Sequence, residues 1–320
     1  MSKWVNDDLF GKFQEQKKEE KATPTGGRSR MEMVWQTPEK GTDSVPKVYK
    51  GRFLPDPKGN FYKQTYYHMY RSGEKWVFTI CPKTDNFDNF CPFCSVTSKL
   101  YMGSPADKKM ANNYKRKRKY VGNFFIEDDP RDAERDDESK VNGTVKLFEF
   151  PAKVEMKLKE EITDSDNGLG ISIFDPGKEG FSFILKVLST KKDEKGNSWP
   201  DYSNSKFERS PAPLGSDRDI DKIMKSCYDI DEYVNGLRRT EEELIKLVKD
   251  EMLFDMISDE YEQLMRKRQN TSPEPDDIDD SIWDDKPKAE SDEVKKDDDD
   301  SPPWNDTDSD AELLKELEGL

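Results

Sequence analysis

Histidine and cysteine are scarce in this chain of 320 residues, which contains one histidine and four cysteines. A single histidine leaves little equipment for acid–base catalysis, so we expect a protein that is not an enzyme. Apolar residues make up only 32% of the chain and charged residues 38%, so part of it is expected to stay solvated. No run approaches the ~18 apolar residues of a membrane span, and the N-terminus lacks a signal-peptide pattern. These absences predict an intracellular protein without membrane contact.

The excess acidic charge is confined to the last fifty residues. Residues 271–320 contain 20 acidic residues and 5 lysines. The whole chain has 68 acidic and 53 basic residues, so residues 1–270 contain 48 of each and have no net charge. We therefore predict three parts: an N-terminal arm over 1–45, a folded core over 46–270 and a disordered acidic tail over 271–320.

The core is predicted to be mainly β with some α. Trp76, Phe78 and Ile80 alternate as in a half-buried strand, and further strand patterns lie at 120–127, 144–150 and 181–188. Clusters of Gly, Pro, Asp and Asn separate these strands, without long helical patterns between them. This arrangement favours a small barrel over a parallel α/β sheet.

Helices are predicted after the barrel. Ser216 with Asp219, and Thr240 with Glu243, match the pattern in which a hydroxyl and a carboxylate cap the first free amides of a helix. After Thr240, an apolar residue recurs every four positions and predicts one packed helix face. The residues of this stripe are Leu244, Val248, Met252 and Met256.

The histidine and three of the cysteines form the spacing His68-x12-Cys81-x9-Cys91-x2-Cys94. Two thiolates from a Cys-x-x-Cys turn and two ligands from a neighbouring hairpin complete a tetrahedron, which favours one zinc ion. Four protein ligands leave no open position, so the zinc is predicted to be structural, in a subdomain over about 60–105. The second residue after His68 is Tyr70, where zinc deaminases carry glutamate.

Buried thiols unrelated to a lone histidine, or a redox pair, are the alternatives to a metal site. A redox Cys-x-x-Cys would need a βαβ setting that the flanking segments lack. Cys227 lies far from the other three in the sequence, and inert burial is the simplest interpretation for it.

A basic segment follows the predicted zinc subdomain, bracketed by two tyrosines. Cations neutralise phosphates and aromatic faces stack on bases, so their combination predicts binding of single-stranded nucleic acid. The candidate residues in this segment are Lys108, Lys109, Tyr114, Lys115, Arg116, Lys117, Arg118, Lys119 and Tyr120. Three aromatic residues outside it are further candidates: Phe148, Trp199 and Tyr202.

Two alternatives compete with single-stranded DNA binding. A zinc-ribbon regulatory factor that binds RNA or a polymerase would also combine zinc with a basic surface. A protein-binding adaptor would use the basic segment to hold an acidic tail. Nucleic-acid preference, measured with and without residues 271–320, separates these alternatives from DNA binding.

The sequence resembles the helix-destabilising, single-stranded-DNA-binding proteins of T-even-type bacteriophages. The resemblance rests on the His68/Cys81/Cys91/Cys94 spacing, on "RFLP" at 52–55, "YKRKRKYVGN" at 114–123 and "YSNSKF" at 202–207, and on the acidic, leucine-ending tail. It covers roughly residues 48–210 and the tail. The zinc spacing followed by the basic run is its most specific element.

This resemblance implies an OB-fold barrel combined with a structural zinc subdomain that together form a cleft for single-stranded DNA. It implies that the protein coats and protects single-stranded DNA and acts in the host-cell cytoplasm. It further implies that the tail recruits replication, recombination and repair proteins and that the arm mediates cooperative self-assembly on DNA. The arm departs from the family pattern, because its first 21 residues contain five lysines and five acidic residues.

Overall fold

The computed structural model describes residues 30–192 and 196–270. Predictions for the arm before residue 30 and for the tail over 271–320 lie outside the described residues. The strands are β1 (Lys47–Leu54), β2 (Lys63–Ser72), β3 (Lys75–Ile80), β4 (Lys117–Asp128), β5 (Val145–Phe150), β6 (Phe183–Ser189), β7 (Pro200–Asp201) and β8 (Lys206–Phe207). The helices are α1 (Arg30–Met33), α2 (Pro92–Met102), α3 (Pro105–Tyr114), α4 (Ala152–Thr163), α5 (Asp217–Lys225), α6 (Ile230–Gly236), α7 (Glu241–Asp250) and α8 (Ser258–Asn270).

Five antiparallel strands form the barrel, in the order β5-β4-β1-β6-β8. Helix α4 connects the third of these strands along the chain, β5, to the fourth, β6. This strand order belongs to the OB-fold, a partly open Greek-key barrel. The mainly antiparallel architecture with helices after the barrel confirms the predicted fold class.

A second unit, which we call the inserted lobe, is built from residues 55–116 between β1 and β4. It contains the β2–β3 hairpin and helices α2 and α3. Strand β2 pairs with the first half of β4, from Lys63↔Val121 to Tyr67↔Lys117, so the sheet runs without a break from barrel to lobe. In OB-folds the loop between the first two strands is one of the ligand-binding loops, and here the lobe occupies that position.

Aromatic rings fill the barrel. Phe53 on β1 contacts Phe124 on β4 with ring centroids 5.0 Å apart, and Phe150 on β5 at 5.3 Å. Such edge-to-face contacts add ~0.5–1.5 kcal/mol to the area that each ring buries. Gly51 lies at a register shift in β1, where a Cβ atom would sit 2.3 Å from the Phe125 carbonyl oxygen, so no larger residue fits.

Trp35 is a core residue of the barrel, although the sequence analysis placed it in the arm. Its ring stacks on Phe124 at 5.2 Å, and its Nε1 donates to Asp129 Oδ2 at 3.0 Å. The preceding residue, Val34, forms a parallel bridge with Leu147 on β5. The barrel therefore begins about ten residues before the predicted boundary at residue 45.

The predicted strands at 120–127, 144–150 and 181–188 correspond to β4, β5 and β6, and the two predicted helix caps are confirmed. Ser216 and Thr240 each accept from the amide three residues ahead and complete reciprocal capping boxes. Leu244 and Val248 are buried as expected. The prediction for Met252 was wrong, because α7 ends at Asp250 and Met252, with a φ of 57°, is 91% exposed.

Replacement of Trp35 by alanine is expected to lower the free energy of unfolding by about 3–5 kcal/mol, since it leaves a cavity and removes one of the hydrogen-bond donors to the buried Asp129. Urea denaturation of the full chain would measure this loss. The control is Val45→Ala at a 65% exposed position, for which we expect a change within about 0.5 kcal/mol. Equal stability of the two variants would show that Trp35 does not belong to the barrel core.

Candidate metal centre and nucleic-acid interface

The structure brings the four predicted metal ligands together in the inserted lobe. His68 lies on β2, Cys81 directly follows β3, Cys91 is the residue before α2, and Cys94 lies in the first turn of α2. Their ligand atoms all lie within 4.8 Å of one another. His68, Cys81 and Cys91 are at most 1% exposed, so the donors converge inside the lobe.

The spacing of these donors fits a tetrahedral ion. The Cys91 and Cys94 Sγ atoms lie 3.3 and 3.6 Å from His68 Nε2, and Cys81 Sγ lies 3.6 Å from Cys94 Sγ. Metal–ligand bonds of ~2.0–2.3 Å give tetrahedron edges of about 3.3–3.8 Å. Three sulfurs and one nitrogen at these separations can hold one metal ion, consistent with a structural zinc.

The backbone carbonyl of Tyr114, at the end of α3, orients the histidine ring. It lies 2.8 Å from His68 Nδ1 and accepts the Nδ1–H hydrogen bond. With the proton on Nδ1, the Nε2 lone pair points to the three sulfurs. Helix α3 thus acts as an outer support for the candidate metal centre.

Without metal, the cluster favours a thiolate at Cys94 and bound protons at Cys91 and His68. Hydrogen bonds from the Cys81 and Cys91 thiols hold the pKa of Cys94 well below its ordinary value. Burial raises the pKa of Cys91, whereas at His68 the opposing effect of burial is outweighed by hydrogen bonds to Cys81 and Cys94, which raise its pKa to about 10. Cysteine ligands must lose their protons to bind metal, so we expect metal affinity to fall as the pH is lowered.

Cys227 lies outside this cluster, just after α5. It is 8% exposed, packs among Leu54, Phe125 and Val145, and its Sγ lies 3.7 Å from the Ile223 carbonyl oxygen. Burial raises its pKa to about 12, which makes it an unreactive thiol.

The candidate nucleic-acid interface follows from the way β4 divides the basic segment. Successive residues of a strand point to opposite faces, so Lys117 and Lys119 lie on one face, and Arg116 and Arg118 belong to the other. Lys108 and Lys109 are exposed on α3, and Lys115, between α3 and β4, is half-buried. The seven cations therefore do not form one surface.

The face of Arg116 carries two aromatic rings, which meet edge to face, and two arginines. The Arg116 guanidinium carbon lies 4.4 Å from the ring centroid of Tyr66 and 5.1 Å from that of Phe87. Arg118 pairs with Tyr66 across the sheet, and Gln64 donates to the Tyr66 hydroxyl at 2.6 Å. Within residues 30–192 and 196–270, neither arginine forms an ion pair with a carboxylate. We call Tyr66, Phe87, Arg116 and Arg118 the arginine face.

The opposite face is already satisfied within the protein. Lys119 forms an ion pair with Glu149 at 2.7 Å and lies 4.5 Å from the ring centroid of Phe78. Lys117 is 8% exposed. Positive charges that are buried or paired in this way are poorly placed to meet phosphates.

Most of the predicted stacking residues outside the arginine face are buried. Phe148 is 2% exposed and packs between Phe124 and Phe150, so the prediction that it stacks on bases needs correction: both neighbours cover its ring. Tyr120 and Tyr202 are 2% and 6% exposed and belong to the same barrel core.

Tyr114 and Trp199 have other surroundings. Tyr114, 9% exposed, packs on Tyr70 and Phe93 beside the metal centre, and its hydroxyl donates to Glu251 at 2.7 Å. Trp199 is half-buried in the loop between β6 and β8, and its backbone amide donates to the Thr190 hydroxyl. In OB-folds that loop is the second of the two loops that bind oligonucleotides, so Trp199 keeps a position from which it could contact DNA.

Tyr66 and Phe87 were missed by the sequence analysis. Phe87 is 56% exposed in the loop between Cys81 and Cys91. The available signal was a phenylalanine flanked by Asp and Asn, between two metal ligands. The Tyr66 backbone is held by Cys81, whose amide donates to the Tyr66 carbonyl at 2.8 Å, and by the Thr84 hydroxyl. Metal ligands thus support both rings of the arginine face.

A partly open barrel with an aromatic, cationic surface beside its second strand is typical of OB-fold proteins that bind single-stranded nucleic acid. A family model described as "gp32 DNA binding protein like" matches residues 51–250, from β1 to the end of α7. The chain belongs to this gp32-like family of DNA-binding proteins, which confirms the resemblance seen in the sequence.

A search of the curated proteins found no match. None of the described helices is long and apolar enough to cross a membrane.

Replacement of Cys91 by alanine is expected to reduce bound zinc from about one equivalent per chain to none, since three ligands no longer close the tetrahedron. Metal analysis after dialysis would measure this, together with a lower melting temperature. Cys227→Ala removes a buried thiol outside the cluster and should retain its zinc. Zinc retention by the Cys91 variant would remove this residue from the ligand set.

Proposed function

We propose that the protein coats single-stranded DNA without strong sequence preference and that the arginine face is part of the contact surface. The observation that carries this proposal is the packing of the Arg116 guanidinium against the rings of Tyr66 and Phe87, with Arg118 paired to Tyr66 across the sheet. Aromatic faces accept any base, and unpaired guanidinium groups neutralise phosphates, so this surface favours single strands regardless of sequence.

The zinc ion is proposed to have a structural role. Four protein donors complete its coordination, which leaves no position for an activated water molecule. A zinc ion would join Cys81 to Cys91 and so close the loop that presents Phe87. The protein is proposed to work by binding, as a non-enzymatic member of its family.

The resemblance stated above supports a broader proposal. The protein would act in DNA replication, recombination and repair and would recruit partner proteins through residues 271–320. The arm would mediate cooperative assembly on DNA. Support for the role of the tail comes from its charge. The tail carries a net charge of −15 and is tethered to a core of zero net charge.

The arginine face can be tested by the salt dependence of poly-dT binding. Arg116→Gln with Arg118→Gln should flatten the slope of log affinity against log salt by about 1.4, at ~0.7 per phosphate contact. Lys119→Gln is the matched control on the opposite face, and it should leave the slope unchanged while it lowers the melting temperature.

Two outcomes would contradict this proposal. An equal change of slope in the Lys119 variant would show that the two faces do not differ. A preference for RNA, or for one duplex sequence, over poly-dT would favour the alternative of a zinc-ribbon factor that binds RNA or a polymerase.

Removal of residues 271–320 is expected to strengthen poly-dT binding at low salt. The tethered acidic tail competes for cationic surfaces at high effective concentration, and salt screens that competition. Titrations at low and high salt should therefore show a gap between the full chain and the 1–270 chain that closes as salt rises. Identical affinities at low salt would disprove competition by the tail.

A further inference from the structure

The C-terminal helices of the core complete the inserted lobe. Helix α7 packs on α2, and the turn at 254–256 contacts α2, α7 and α8. One buried cluster joins two metal ligands to residues far along the chain. Its lobe members are Tyr70, Cys81, Cys91, Phe93, Val96, Leu100, Ala111 and Tyr114, and its C-terminal members are Leu244, Ile245, Val248, Leu253 and Ile257. We call residues 241–270 the C-terminal cap.

Polar and aromatic contacts attach the cap beside the metal ligands. Ser95, next to Cys94, donates to Glu260 at 2.8 Å, and Phe90, next to Cys91, lies 5.8 Å from Tyr261 between ring centroids. Lys99, about one turn beyond Ser95 along α2, donates to the Met256 carbonyl. The start of α2, with Cys91 just before it and Cys94 in its first turn, therefore holds two metal ligands and also contacts the cap.

Tyr114 links the cap directly to the histidine ligand. Its backbone carbonyl accepts from His68 Nδ1 at 2.8 Å, while its hydroxyl donates to Glu251 at 2.7 Å. Its ring packs on Tyr70 at 5.1 Å. A displacement of the cap would release this side chain and with it the support of the histidine ring.

From these contacts we propose that docking of the C-terminal cap is controlled by the metal centre, with Tyr114 and Glu251 as the positioning residues that couple them. The proposal rests on the proposed zinc site. The four ligands come from the start of α2, from β2 and from the end of β3. Their approach to one another is one of the described contacts that join these elements. Without an ion between them, α2 keeps the packing of Phe93 on Tyr70 but loses its bonded connection to the hairpin, so the packing surface of the cap is held less firmly.

The coupling is reciprocal. A docked cap that is favoured by bound zinc must favour zinc retention by the same factor. Because residues 271–320 follow α8 directly, metal binding would also decide whether the acidic tail starts from a docked or a released helix. The metal centre then controls the attachment point of the tail in addition to shaping the DNA surface.

Hydrogen exchange of the full chain, with zinc and after its removal by a chelator, tests the proposal. We expect amide protection over 241–257 to fall by about tenfold or more, while β1, β5 and β6 change by less than about twofold. Unchanged protection of the cap, or equal loss in cap and barrel, would overturn the proposal. A chain that binds no zinc overturns both this proposal and the zinc site.

The reciprocal effect can be measured as the rate of zinc release to a chromogenic chelator. Tyr114→Phe removes only the hydroxyl that reaches Glu251 and should release zinc about tenfold faster. Tyr101→Phe is the matched control in the same lobe, because the Tyr101 hydroxyl donates to Asn112 on α3 at 2.9 Å. Its release rate should stay within about twofold of the parent rate.

Glu251→Gln should also speed release, since it weakens the acceptor of the same hydrogen bond. A lower melting temperature of Tyr114→Phe without faster zinc release would mean a merely structural role and would overturn the coupling. Poly-dT affinity measured in parallel keeps the two proposals apart, because failure of the coupling leaves binding by the arginine face intact.

Discussion

The convergence of His68, Cys81, Cys91 and Cys94 on one point is the constraint on which the inserted lobe depends. It joins a β-hairpin to the start of a helix within the inserted lobe. The loop between Cys81 and Cys91 carries Phe87, and the amide of Cys81 holds the backbone of Tyr66. An ion bound here would position both rings without taking part in chemistry.

The barrel and the inserted lobe are stabilised by different means. Aromatic contacts around Phe53 and the docking of Trp35 give the barrel a continuous apolar core. In the lobe, two ligand cysteines are themselves members of the buried cluster, and α7 supplies part of its core. The lobe is thus assembled from two segments about 150 residues apart in the chain. The segment with the metal ligands comes before β4, and the cap comes after the last barrel strand.

Much of the fold and the whole metal centre could be predicted from local patterns. Alternation identified β3 to β6, capping boxes marked α5 and α7, and the uncommon His and Cys residues marked the ligands. The stacking residues could not be identified in this way. An aromatic ring such as Phe148 has the same local sequence signature in a core as on a surface, and only the packing of other strands against it distinguishes the two.

The sequence by itself determined the donor set, the family, the main strands and the separation of an acidic tail from a neutral core, because each depends on residue type and spacing along the chain. Tertiary structure alone decided which cations face outward. Arg118 and Lys119 are chemically alike neighbours, yet the pairing of β4 places Arg118 beside Tyr66 and Lys119 beside Glu149. It also decided the surroundings of Tyr114, which supports the metal centre because α7 and β2 meet there.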